Sequence, residues 1–183
     1  MISIPSIMRH AALPSLWMLL SVFMLDLLLP AISPCAVPMK DDPKGFQGIA
    51  WGTSLTLRQD LEAVRSGTHV TEYRMKDGTT AFAGAEMTSL LYVSFDDQFA
   101  RVTIRYQGES VHKQVLSFLE HRHGNLQRIP GQMARGLNQQ YTWRGSETEI
   151  NLTYQGSTGR GYIFIDSRNL APRFNDDLTD SAE

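Results

Sequence analysis

Cysteine is almost absent from this chain of 183 residues, in which Cys35 is the single example. One thiol cannot form an intramolecular disulfide, and structural zinc sites usually take two or more cysteines. We therefore expect a domain stabilised by its hydrophobic core, with neither a disulfide nor a cysteine-based zinc site.

The chain also lacks an excess of charge of one sign. Its 17 lysines and arginines stand against 19 aspartates and glutamates, which gives a net charge of -2. Proteins that bind nucleic acid do so largely by displacing counterions with an excess of positive groups. The charge balance therefore argues against a nucleic-acid partner.

Motifs of the common enzyme classes are missing as well. There is no Gly-x-Ser-x-Gly nucleophile turn, no His-Glu-x-x-His metal motif and no phosphate-binding glycine loop. On one helix His112 and His123 would lie about 16 Å apart, and His121 would point away from His123, so helical metal ligation is not expected. The sequence predicts no catalytic residues, no metal and no cofactor.

Long apolar runs are limited to the N-terminus. Residues 1–15 carry Arg9 and His10 and no acidic residue, and an apolar stretch at 16–25 follows before Asp26. This order is typical of a secretory signal peptide, and the stretch is shorter than the roughly 20 residues of a stable membrane span. We assign residues 1–35 to a signal peptide or, as the alternative, to an uncleaved N-terminal anchor.

Two details of this segment stay open. Met8 would serve as a start as well as Met1, and the cleavage position is not specified. Cys35 lies where a lipoprotein carries its lipid, although Pro34 precedes it in place of a small residue. The predicted location is the periplasm or the outside of the cell, with an inner-membrane anchored protein or a lipoprotein as alternatives. Membrane contact is expected only through this segment.

Composition divides the rest of the chain into three parts. Residues 36–45 contain two prolines and are predicted to be a linker. Residues 46–170 are predicted to be a single α+β domain. Residues 171–183 are acidic and poor in apolar residues, and are predicted to be a flexible tail.

A first helix is predicted directly after the opening strand. Thr56 fits the start of a capping box, Leu57, Leu61 and Val64 would share one helical face, and Gly67 would end the helix. A second helix is predicted over 110–123. Strands are predicted at 46–51, 68–75, 80–86, 89–95, 99–106, 139–144, 147–154 and 160–166.

The predicted fold class is α+β, with antiparallel sheet and two amphipathic helices packed on one face, in the order β-α-ββββ-α-βββ. In the clearest strand, Val102, Ile104 and Tyr106 alternate with polar residues, so one face is expected to be buried and the other to face water. Trp51 and Trp143 are predicted to pack in the core or at its edge.

One stretch is basic without a compensating acidic residue. Between Glu120 and Glu147 the chain carries four arginines, Arg122, Arg128, Arg135 and Arg144. Guanidinium groups bind phosphate and carboxylate bidentately, so these four are a candidate anion site for an envelope component such as a lipid phosphate. The alternative is a solvated loop whose arginines pair with acidic residues elsewhere in the fold.

Asp96 and Asp97 form the other candidate group. Adjacent strand residues point to opposite faces and this pair is expected between two strands, so a turn is the first interpretation. The alternative is an envelope hydrolase in which His69 or His112 serves as the base beside one of these carboxylates.

Three segments carry a resemblance: Phe46-x-Gly48-Ile49-x-Trp51-Gly52-Thr53-Ser54, Tyr92-x-x-Phe95-Asp96-Asp97 and Arg122-His123-Gly124. Together they resemble small exported bacterial proteins of unknown function, over most of residues 46–166. In the order of its elements the domain is similar to the helix-on-sheet repeats of β-lactamase inhibitor proteins and small outer-membrane assembly lipoproteins. The resemblance implies a protein that binds other proteins and catalyses nothing.

These observations favour a non-enzymatic binding or assembly module of the periplasm or cell envelope. The expected partner is an envelope protein or an anionic envelope component. The sequence predicts neither the identity of that partner nor the oligomeric state.

Overall fold

A computed structural model of the protein describes residues 37–126 and 138–171. Half of these residues lie in strands and 12% in a single α-helix, α1, at Glu109–His123. The strands are β1 Val37–Pro38, β2 Gly45–Phe46, β3 Ile49–Ala50, β4 Leu61–Ser66, β5 Val70–Met75, β6 Ala81–Phe82, β7 Ala85–Glu86, β8 Ser89–Phe95, β9 Gln98–Gln107, β10 Asn138–Arg144, β11 Thr148–Gln155 and β12 Arg160–Ser167.

Eight of these strands form one sheet in the spatial order β1-β10-β11-β12-β9-β8-β5-β4. Seven of them pair antiparallel, and β1 runs parallel to its neighbour β10. The β2–β3 and β6–β7 hairpins are separate two-stranded sheets. Most sheet neighbours are also close in the sequence, which is the usual arrangement of antiparallel sheets.

The predicted fold class is wrong, because the described residues are mostly β and contain one helix rather than two. The first predicted helix is absent. Leu61–Ser66 is strand β4, which pairs antiparallel with β5. Gly67 lies in the turn between them, where its N–H donates to the carbonyl oxygen of Val70 (2.8 Å).

Side-chain burial and distant contacts explain this error. Of the three apolar residues expected on one helical face, Leu61 is buried, whereas Leu57 is 82% exposed and Val64 is 43% exposed. Thr56 does not cap a helix, since its N–H and its hydroxyl both donate to the Asp97 carboxylate. Strand pairing and the contact with Asp97 therefore override local helix propensity, which is a weak determinant.

The second predicted helix is confirmed as α1. Val115 and Leu119 are buried in the same core cluster as Ile104 of β9, so α1 covers one face of the sheet. Gly124, with φ of 115°, follows the last turn, and its N–H donates to the carbonyl of Glu120 (2.9 Å).

The predicted alternation in β9 is also confirmed. Val102, Ile104 and Tyr106 are 0%, 0% and 2% exposed, whereas Arg105 is exposed. Trp143 is fully buried, as predicted, and its indole N–H donates to the Gly124 carbonyl (2.9 Å).

Two predicted strands are instead hairpins. The 46–51 segment turns at Gln47 and Gly48 (φ 47° and 80°), and the 80–86 segment turns at Ala83 and Gly84 (φ 53° and 77°). Positive φ at two successive positions matches the turn that joins tightly paired strands.

The described part of the predicted linker makes several contacts. β1 pairs with the end of β10, and the Asp42 carboxylate accepts hydrogen bonds from the N–H groups of Ser146, Glu147 and Thr148 (2.6, 2.9 and 3.0 Å). Burial acts to raise the pKa of Asp42, but these hydrogen bonds outweigh it and the pKa lies below its usual value. The bonds tie residues 41–43 to the β10–β11 turn.

In the described ranges no helix has the length and apolar character needed to cross a membrane. The predicted signal segment with Cys35 lies outside those ranges, as do residues 172–183 of the predicted tail.

Candidate functional site

The sheet ends in two edges that differ in length and exposure. At one edge β1 has two residues, and one of them is Pro38, which has no N–H. At the other edge β4 has six residues, of which the last four are exposed. Among the described strands β5 is the sole sheet neighbour of β4, so one row of β4 backbone N–H and C=O groups points away from the sheet.

A β-bulge distinguishes this second edge. The register with β5 shifts between Ala63 and Arg65, which leaves Val64 without a cross-strand partner. Val64 and Leu57 are the large hydrophobic side chains that are exposed within the described residues, and both lie in the same short stretch. Bulges often redirect a side chain beside a binding site. We call residues 57–66 the β4 edge.

The sequence reasoning missed this edge. It placed Leu57 and Val64 on the buried face of a helix, because their spacing fits a helical period. Gly67 was a usable signal, since a glycine fits a hairpin turn as well as a helix end, and a hairpin would have put Val64 on a strand.

The sheet face opposite α1, which we call the open face, carries ion pairs. The Arg101 Nε lies 2.5 Å from the Asp166 Oδ1, and the guanidinium lies over the Phe164 ring at 5.3 Å from its centre. Burial raises the pKa of Asp166, while the hydrogen bond from Arg101 acts in the opposite direction. On the neighbouring strands, Arg144 Nε lies 2.6 Å from Glu149 Oε2.

Two of the four arginines predicted to bind an anion lie in the described residues. Arg122 contacts Asp41 (3.1 Å) and Arg144 contacts Glu149 (2.6 Å), so each has its own carboxylate partner. Arg128 and Arg135 lie outside the described residues. The anion site formed by all four arginines stays a prediction.

His112 lies in a buried aromatic cluster. Its Nδ1 is 2.7 Å from the Tyr106 hydroxyl, its Nε2 is 3.2 Å from the Gln139 Oε1, and its ring is stacked on Tyr154 with centres 4.0 Å apart. Burial lowers the pKa of His112 and also raises the pKa of Tyr106. The neutral imidazole therefore accepts from the Tyr106 hydroxyl at Nδ1 and donates to Gln139 at Nε2, and its role is structural.

His123, at the end of α1, is also buried. Its Nδ1 donates to the backbone carbonyl of Asp41 (2.7 Å), and the side chain is one of the few polar groups in the core at 4% exposure. Burial lowers the pKa of this imidazole too. His123 therefore holds the chain around Asp41 against the helix end.

His69 and Asp96 form the histidine–carboxylate pair considered for a hydrolase. His69 Nδ1 lies 2.7 Å from Asp96 Oδ1, and the two side chains are 45% and 53% exposed. The Asp96 N–H also donates to the His69 carbonyl (2.9 Å). The pair therefore links the turn between β4 and β5, which contains His69, to the turn between β8 and β9, which contains Asp96.

Asp97 completes that turn. Asp96 and Asp97 have φ of 47° and 63°, which confirms the predicted turn. The Asp97 carboxylate accepts from the hydroxyls of Ser54 and Thr56, and these hydrogen bonds lower its pKa. It therefore anchors the loop that leads to the β4 edge.

Among residues 37–126 and 138–171, no three metal-ligating side chains converge on one point. The absence of a metal and of a cofactor stays a prediction.

No protein-family model, no curated protein and no solved structure matches this chain. The resemblance to small exported bacterial proteins, to β-lactamase inhibitor proteins and to assembly lipoproteins therefore stays a prediction.

Proposed function

We propose that this protein is a non-enzymatic binding module that adds an extended segment of a partner protein to the β4 edge. The observation that supports the proposal is a free edge strand of six residues that carries exposed Val64. Strand addition would satisfy the outward N–H and C=O groups of β4 with the backbone of the partner. Apolar partner side chains would cover Val64 and Leu57.

The opposite edge does not offer the same mode of binding. β1 is two residues long, and Pro38 cannot donate a hydrogen bond to an added strand. The proposal therefore concerns one edge only. Export to the periplasm or cell envelope is part of the proposal and rests on the signal-like pattern of residues 1–35.

Position-specific crosslinking in producing cells tests the proposal. A photoreactive amino acid is placed at Ser66, an exposed position of β4, or at Lys113, an exposed position of α1 with 73% of its side chain accessible. The expected result is one partner protein crosslinked from Ser66 and not from Lys113. The double substitution Leu57→Asp, Val64→Asp should reduce that product at least tenfold without changing the unfolding transition.

Equal crosslinking from both positions would contradict the proposal, as would a product that survives the double substitution. A crosslinked dimer of this chain would assign the β4 edge to self-association and so replace the proposal.

An envelope hydrolase is the second candidate, and the His69–Asp96 distance of 2.7 Å is the observation that favours it. A carboxylate at this distance can orient a histidine base. His112 does not fit this role, since the partners of its ring nitrogens are Tyr106 and Gln139. Hydrolysis of chromogenic ester, amide and phosphodiester substrates by the parent, lost at least tenfold in His69→Ala, would support the hydrolase. Equal rates in both proteins would exclude His69 as its base.

A further inference from the structure

Two arginines of the open face differ from the other arginines of the described residues. Arg105 on β9 and Arg160 on β12 are exposed, and within residues 37–126 and 138–171 neither side chain makes a hydrogen bond or an ion pair. The other arginines there each contact a carboxylate or a backbone carbonyl: Arg58, Arg65, Arg74, Arg101, Arg122, Arg144 and Arg168.

Strand pairing brings these two arginines together. In the β9–β12 ladder, Arg105 is opposite Tyr162 and Arg160 is opposite Gln107. Arg105 and Arg160 are thus diagonal neighbours, which lie about 7–8 Å apart on one face of a sheet. Gly161 and Tyr106, the residues between them, face the core, where the Tyr106 ring lies over the glycine.

Among the strand positions that the structure describes, those paired with the two arginines and with Tyr162 carry no carboxylate. On the adjoining strands, Arg105 is opposite Ser89 of β8, and Arg160 is opposite Gln155 of β11. Tyr162 has Thr153 on its other side. The surroundings are therefore hydroxyl and amide groups, which leave the positive charge of the guanidinium groups uncompensated.

The nearest acidic residues along the same strands are already paired. Asp166 contacts Arg101, which is four residues from Arg105 and so about 13 Å along the strand. Glu109, which follows β9, contacts Lys113 on α1 (2.7 Å). Neither carboxylate is placed to neutralise Arg105 or Arg160.

We propose that Arg105 and Arg160, together with Tyr162 opposite Arg105, bind two carboxylates of an extended acidic segment of a partner protein. We call this group the arginine diagonal. Guanidinium groups bind carboxylates bidentately. Alternate residues of an extended chain lie about 6.6–6.8 Å apart on one side, which matches the spacing of the diagonal.

The position of the arginine diagonal on a sheet face favours such a segment over a small anion. A sheet face has no walls to enclose a phosphate, and an exposed ion pair contributes only about 0–1 kcal/mol, so a single oxyanion would be held weakly. Two carboxylates on one backbone act together, because the second binds at the effective concentration set by the first. The arginine diagonal is separate from the β4 edge and does not depend on the proposed strand addition.

Fluorescence anisotropy with a synthetic probe tests the proposal. The probe is a labelled peptide of alternating glutamate and threonine, and the reference peptide has glutamine in place of glutamate. The parent protein should bind the acidic probe at least tenfold more tightly than the reference at low salt, and this preference should fall as salt rises. The variant Arg105→Gln, Arg160→Gln should bind the acidic probe at least tenfold more weakly than the parent.

A matched variant, Arg74→Gln, Arg168→Gln, removes one arginine of the same face that is paired with Glu62 and one arginine after β12 that contacts the Gly145 carbonyl. It loses the same formal charge, and its affinity should change less than twofold. Equal weakening in both variants would overturn the proposal in favour of general attraction to the face. If inorganic phosphate displaces the probe at the same concentration as an unlabelled two-carboxylate peptide, the site binds simple anions and the proposal is overturned. A parent protein whose binding of the acidic probe does not depend on salt would also overturn the proposal.

Discussion

The two faces of the eight-stranded sheet are built from the same strands, yet they hold different kinds of side chain. Under α1, Val102, Ile104 and Ile163 are 0% exposed and pack in one core cluster. On the open face, the alternate residues of β9 and β12 include the Arg101–Asp166 pair and the rings of Tyr162 and Phe164. Val93, which is opposite Arg101, belongs to a second, smaller buried cluster with Phe95 and Ala100. Alternation thus lets one strand serve the core on one side and face solvent on the other.

Buried apolar side chains also contribute more to stability than exposed ion pairs do. Full burial of a large apolar side chain contributes about 1.5–3 kcal/mol, whereas an exposed ion pair contributes about 0–1 kcal/mol. The covered face therefore holds the fold together. The exposed ion pairs of the open face and the exposed residues of the β4 edge contribute little to stability, so substitutions there can test the proposed partner contacts without unfolding the protein.

Trp143→Ala should reduce the unfolding free energy more than the other changes, because it removes a side chain buried on the covered face. Trp143 is fully buried, and its indole donates to the Gly124 carbonyl at the end of α1. The loss should be about 3–5 kcal/mol of unfolding free energy. Urea denaturation followed by circular dichroism measures it, with Val64→Ala on the exposed edge as a control that should change by less than about 0.5 kcal/mol. Similar losses of unfolding free energy in both variants would contradict the difference between the covered core and the exposed edge.

Lowering the pH should reduce the unfolding free energy by an intermediate amount, through the buried histidines His112 and His123. Burial lowers the pKa of His112 and of His123 in the fold, whereas in the unfolded chain each titrates near its ordinary value of about 6.5. Below that pH the unfolded chain binds protons that the fold does not, so the unfolding free energy falls as pH drops. The limiting slope is about 1.4 kcal/mol per pH unit for each histidine, and stability should be level above about pH 7.5.

Urea titrations between pH 5 and 8 measure this slope. The low pKa values of Asp42 and Asp97 contribute stability that is lost only in stronger acid, below about pH 4, so they do not confuse the window. The variant His112→Gln, His123→Gln should flatten the profile. An unchanged slope in that variant would assign the acid sensitivity to other groups.

Arg74→Ala should reduce the unfolding free energy least, because it removes an exposed ion pair of the open face. Arg74 Nε lies 2.5 Å from Glu62 Oε1, but the side chains are 61% and 40% exposed. The expected loss is less than about 1 kcal/mol, and it should vanish at high salt because screening already weakens the pair. Thermal unfolding at low and high salt measures it. A loss as large as that of Trp143→Ala would show that the open face also supports the fold.

The sequence alone predicted those parts of the structure that depend on residues close together in the chain. The buried and exposed sides of β9, the course of α1 and the turn at Asp96 and Asp97 follow from local alternation, helical period and turn chemistry. The first helix was predicted wrongly because Thr56 and Leu61 are fixed by partners outside their own stretch. Those partners are Asp97 and β5.

The candidate sites depend on sheet order, which a single sequence does not specify. The exposure of Val64 results from the terminal position of β4 in the sheet. Arg105 and Arg160 are far apart in the sequence and become neighbours only through the β9–β12 ladder. Arg122 and Arg144 are closer in sequence, and each contacts a different carboxylate.

The hydrogen bonds of Asp42 also constrain the order in which parts of the protein can fold during synthesis. The carboxylate near the start of the described chain is satisfied by N–H groups that lie 104 to 106 positions later. During synthesis, this junction cannot close until the β10–β11 turn has been made, and contacts of such long range slow folding. The segment around Asp42 therefore cannot reach its final contacts until six of the eight strands of the large sheet have emerged from the ribosome.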